Sequence, residues 1–93
     1  MSGMGRRTNR QLALSRAIAR HRCKEGLTQA QLGERLGRYR HQPVPQTTIS
    51  RWELGEVDLT LEDIFDIEEA LALPHGILKE QAGYALHRAM SEA

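Results

Sequence analysis

Aromatic residues make up only 4% of this 93-residue chain, one Trp, two Tyr and one Phe, so its core has to be built from Leu, Ile and Ala. Cysteine occurs once, at Cys23, which excludes a disulfide framework and agrees with a cytoplasmic location. Proline is absent before residue 43 and β-branched runs are few, so helical periodicity is the pattern to seek. Long apolar runs are missing too: the longest uncharged apolar stretch, near Ala70 to Pro74, falls far short of the ~20 residues a membrane span needs. Met1 to Arg10 carries positive charge but no apolar segment after it, and so lacks the middle of a secretory signal.

Acidic residues are scarce in one half of the chain and dense in the other. From Met1 to Trp52 there are eleven Lys or Arg against two acids, Glu25 and Glu34, a net +9. From Glu53 to Ala93, two bases stand against ten acids, a net −8, and the halves leave a total of +1. A small domain polarised in this way offers one face to a polyanion, and nucleic acid is the first candidate. Solubility of a helical protein is the simpler use of the same charges.

Five short helices are predicted. Thr8 and Gln11 have capping-box spacing and open the first, with Leu14, Ala17, Ile18 and Cys23 as its apolar stripe and Gly26 at its end. Thr28 and Gln31 repeat that spacing for a second helix, buried through Leu32 and Leu36 and stopped near Gly37. Residues 38–43 are polar, basic and closed by Pro43, which reads as a loop. A third helix runs from Gln46 to Leu54, with Ile49 and Trp52 inward and Gly55 as its stop. Thr60 and Asp63 open a fourth, whose inward face is Leu61, Ile64, Phe65, Ile67 or Glu68, and Leu71, with Pro74 closing it. Ile77, Leu78, Ala82 and Tyr84 mark the fifth. The fold class is all-α, an orthogonal bundle spanning residues 8–86, between a flexible basic arm at 1–7 and a tail at 87–93.

The run Gly26-Leu27-Thr28-Gln29-Ala30-Gln31-Leu32-Gly33-Glu34-Arg35-Leu36-Gly37, followed by Val44-Pro45-Gln46-Thr47-Thr48-Ile49-Ser50-Arg51-Trp52-Glu53-Leu54-Gly55, resembles the helix-turn-helix of the phage repressor and Cro family. The likeness continues through Leu59 to Glu62 and covers roughly residues 8–84. It implies a five-helix, lambda-repressor-like domain that acts as a bacterial, sequence-specific regulator of transcription, a repressor reading double-stranded DNA, without catalysis or cofactor. Stepping about 100° per residue from Ile49 turns Thr47, Ser50 and Arg51 away from the core and Trp52 and Glu53 toward it. Thr47, Ser50 and Arg51, with Gln46 at the N-terminal rim where the resemblance implies a base-reading residue, are the expected base contacts, by Gln to adenine, Arg to guanine and a Thr methyl to thymine. The resemblance places phosphate contacts at Thr28, Gln29 and Thr48, and pairs Arg22 with Glu53 as a scaffold. One recognition helix reads only a few base pairs, so a homodimer on a palindromic operator is expected, with Ile77, Leu78, Leu86 and Met90 as candidate contact residues; completing the monomer core is their other use.

Three features depart from the family. Residues 38–43 are extra, and Arg38 and Arg40 there extend the phosphate footprint or simply ride on a tolerated bulge. Pro45 stands where a capping Ser, Thr or Asn is usual, and Gly33 where Ala is usual. The segment Gly55-Glu56-Val57-Asp58 is acidic where the family is basic, which shifts phosphate contact toward Arg6, Arg7 and Arg10 or the inserted loop. The four His are scattered, so no metal pair is expected, and His21 reads as a half-buried packing residue. The competing function is an antitoxin or protein-interaction module that captures a protein partner through the acidic half, along Leu73 to Ala85.

Overall fold

A computed structural model describes residues 8–84. Its elements are α1 (Asn9–Lys24), α2 (Gln29–Leu36), a single 3-10 turn (Gly37–Tyr39), α3 (Gln46–Leu54), α4 (Leu61–Ala70) and α5 (Ile77–Gln81), with no strand among the described residues. The architecture is an all-helical domain of the lambda-repressor type.

Local chemistry sets most of the boundaries. Thr8, Thr28 and Thr60 each accept the backbone N–H three residues on, while Gln11, Gln31 and Asp63 each accept the N–H of the threonine, so α1, α2 and α4 open with complete capping boxes. Helix α3 starts after Pro45, whose fixed φ suits a helix start but which supplies no capping side chain. Gly26 and Gly55 adopt left-handed conformations with φ of 75°, turning the chain out of α1 and α3.

Helix α4 ends earlier than Pro74 suggests. Its last helical residue is Ala70, and the chain reverses through Ala72 at φ 57°, with the Leu73 amide bonded to the Glu68 carbonyl. The inward stripe of α4 is Ile64, Ile67, Glu68 and Leu71, whereas Leu61 and Phe65, expected inside, are exposed. Leu61 is the first residue of the helix, at the end of the stripe, and Phe65 lies on its flank, against the His75 ring.

The core joins all five helices through Leu14, Ile18, Leu32, Leu36, Ile49, Trp52, Ile67, Leu71 and Leu78. Leu78, expected at a dimer contact, is fully buried because the short α5 lays it into this core. Ile77 is half-buried, and Leu86 and Met90 lie outside the described residues, as do the arm at 1–7 and the tail at 87–93. Glu68 is fully buried beside these apolar groups. Its carboxylate accepts two bonds from the Gly76 N–H, at 2.9 and 3.0 Å, and one from the Leu78 N–H at 3.0 Å, thereby capping α5, whose N-cap residue, Gly76, has no side chain to do so.

Candidate nucleic-acid interface

Helix α3 buries Ile49 and Trp52 and turns Gln46, Thr47 and Arg51 outward; Thr48 and Ser50 are half-buried at the margins. A chain of polar contacts holds its inner edge. Arg22 on α1 grips Glu53 with two bonds, Nε to Oε2 at 2.6 Å and Nη2 to Oε1 at 3.0 Å, and donates a third to the Leu27 carbonyl at 2.7 Å. The hydrogen bond that Arg22 donates to Glu53, opposed by burial, raises the Arg22 pKa above the ordinary arginine value. Gln29 on α2 donates Nε2 to the same Glu53 oxygen at 3.0 Å, and its Oε1 accepts from Gln46 Nε2 at 3.3 Å.

This chain of bonds fixes amide orientations as well as positions. A carboxylate only accepts, so Gln29 must turn its NH2 toward Glu53 and its carbonyl toward Gln46, and Gln46 must donate. That leaves the carbonyl and the second N–H of the exposed Gln46 as one acceptor and one donor on a planar amide. Such a fork matches the N6 and N7 edge of adenine in a major groove.

Thr28 accepts the Gln31 amide and sits exposed at the first turn of α2. Around the inserted segment, Arg38, Tyr39, His41 and Gln42 are exposed. Arg40, expected at phosphate, is half-buried and engaged by acids of the protein itself. Its Nη2 bonds Asp63 at 2.6 Å and its Nε bonds Asp66 at 2.9 Å, both on α4, while the guanidinium carbon lies 5.8 Å from the centre of the Trp52 ring. Burial lowers the Arg40 pKa, but the hydrogen bonds to Asp63 and Asp66 outweigh it, and the net direction is upward. The guanidinium, on a side chain 28% exposed, is thus engaged by both carboxylates of α4. Asp63 and Asp66 were not legible as its partners, because they lie 23 and 26 residues away with no intervening motif.

Gly33 occupies the crossing of α2 with the returning chain. A Cβ there would overlap the Val44 carbonyl oxygen, and the Gly33 carbonyl accepts the Val44 N–H at 3.0 Å. The extra residues thus re-enter against the α2 backbone itself, a contact that leaves no room for the Ala usual at this position. The segment after α3 keeps its acidic character, with Glu56 and Asp58 exposed and Asp58 accepting from Gln11 Nε2 at 3.2 Å.

The geometry is that of two crossed helices, the second presenting a polar face, and residues 18–78 match the helix-turn-helix family. The chain belongs to that family, of the phage repressor and Cro type. No curated protein and no solved structure matches it. As a helix-turn-helix protein it is a DNA-binding regulator, and the family is a DNA-binding family rather than an enzyme family. No helix among the described residues is long and apolar enough to cross a membrane, and no group of three or more His, Cys, Asp or Glu there is placed to hold a metal ion. His21, half-buried, pairs with Gln81 at 2.8 Å, and the free Cys23 is exposed.

Proposed function

We propose that this helix-turn-helix protein is a sequence-specific repressor that binds as a homodimer to a palindromic operator, with α3 in the major groove. The observation that carries the reading is the outward rim of α3, where Gln46, Thr47 and Arg51 are exposed and Gln46 is held from behind by Gln29, Glu53 and Arg22. Gln46, Thr47, Ser50 and Arg51 contact bases, and the neutral fork of Gln46 selects adenine. Thr28, Gln29, Thr48 and Arg38 hold phosphates, with the amides at the start of α2 adding a favourable dipole. The basic arm at 1–7 flanks the domain and adds charge to the footprint. Ile77, with Leu86 and Met90, forms the contact between copies.

Capture of a protein partner through Leu73 to Ala85 loses much of its surface, because Leu78 and Ala82 are buried and Leu73 and Tyr84 pack against the core. Selection of bound duplexes from random sequence tests the repressor reading. The expected result is enrichment of two inverted half-sites about 10 base pairs apart, one helical turn, as a symmetric dimer requires. Recovery of unenriched sequence after repeated rounds would overturn it.

A further inference from the structure

The inserted residues form a closed loop tied at its neck, its middle and its exit. At the neck, a Cβ on Gly37 would stand 3.2 Å from the backbone of Pro43, so the two ends of the segment touch. In the middle, Arg40 forks onto Asp63 and Asp66 of α4 and lies over the face of Trp52 on α3. At the exit, Val44 is bonded to Gly33 of α2, and two residues later α3 begins. One arginine therefore touches both the element that follows the recognition helix and the recognition helix itself, on a loop whose last residues lead directly into that helix. We infer that Arg40 is a positioning residue for DNA recognition, a bracket that sets α3 against α4 and so aims Gln46.

Two features make the bracket more than a passing surface ion pair. An isolated exposed pair contributes little, but here a planar guanidinium meets two carboxylates whose side chains are 17% and 18% exposed and stacks on an indole. Helix α3 also lacks a capping side chain, since Pro45 stands at its start, so its first turn depends on whatever holds the preceding residues. The other three helices with capping boxes have no such need.

The inference rests on the DNA-reading role of α3, and its test separates the two. Asp66→Asn is the decisive variant, because it leaves the Thr60 and Asp63 capping box intact and removes one negative charge from a protein that binds a polyanion. If Arg40 were a phosphate ligand restrained by α4, releasing it and deleting a carboxylate would tighten DNA binding. A bracket predicts the opposite: binding of the selected operator weakens about threefold to tenfold, the range for removing one member of a connected network. Arg40→Gln should weaken binding similarly while leaving the slope of log affinity against log salt at the wild-type value, whereas loss of a phosphate contact lowers that slope by about 0.9. Trp52, the single tryptophan, lies under the guanidinium and reports the bracket without DNA: both variants should shift its emission while their helical circular dichroism stays unchanged. Tighter or unaltered operator binding by Asp66→Asn, or a slope lowered by about 0.9 in Arg40→Gln, overturns the positioning role. Failure of the wild-type protein to select any operator would overturn the repressor reading instead, and the Trp52 emission would then decide the bracket by itself.

Discussion

At Gly33 the absence of a side chain decides how the inserted segment returns, since the Val44 carbonyl oxygen occupies the space a Cβ would take. Glycine within a helix costs about 1 kcal/mol relative to alanine, so Gly33→Ala would stabilise α2 if the space were open. It is not open, and the obstructing atom belongs to backbone, so the substitution should instead destabilise the domain by about 1–2 kcal/mol, as overpacking does. Urea denaturation measures the sign. Arg22 makes a similar single-residue case. Arg22→Met leaves the Glu53 carboxylate, whose side chain is 7% exposed, without its cation, and should lower stability by about 3 kcal/mol in the same assay. An Arg22→Met protein as stable as the wild type would remove the scaffold role of the pair. The pair could be placed from the sequence because the family pattern supplies both partners, while the reason for Gly33 could not, since it depends on where a later segment crosses.

Among the elements, the helix starts were legible and the packing of α4 was only partly so. Capping boxes are local, set within four residues, and the three at Thr8, Thr28 and Thr60 appear where their spacing puts them. The inner face of α4 is not local: it depends on the angle at which the helix meets α2, which determines that Ile64 and Ile67 face inward while Leu61 and Phe65 do not. Glu68 shows the same limit. Its position on the helical stripe admits burial, yet nothing in the sequence announces that it would cap α5 from another helix. Three N–H bonds converge on its carboxylate. Glu68→Gln keeps the size but turns an NH2 toward amide donors, and should cost about 3 kcal/mol, read as a lower urea midpoint with an unchanged slope. A midpoint equal to that of the wild type would show that α5 needs no such cap.

Over the whole molecule, the division between a basic and an acidic half acquires a structural meaning at the pairs that join them. Arg22 with Glu53, and Arg40 with Asp63 and Asp66, each link a cation from the first half to acids of the second, so the two halves are interlocked. Both arginine pKa values are raised, and a raised value means that the stabilisation is complete below the ordinary arginine pKa and fades only as pH climbs through the higher folded one. Neither guanidinium therefore changes charge between about pH 6 and 9, and their share of the folding stability should be flat there. A stability that falls steadily with pH across that window, and does so less in Arg22→Met, would contradict this. DNA affinity, by contrast, should fall with salt by a slope of about −0.9 for each phosphate held.

Whether Gln46 at the rim of α3 reads a base is decided by competition binding of the selected operator against its single-base variants, by wild type and Gln46→Ala. The alanine protein should lose its preference at one base pair in each half-site, by about 1–3 kcal/mol of discrimination, and keep it elsewhere. Retention of the wild-type preference at every position by Gln46→Ala would contradict base reading by this residue.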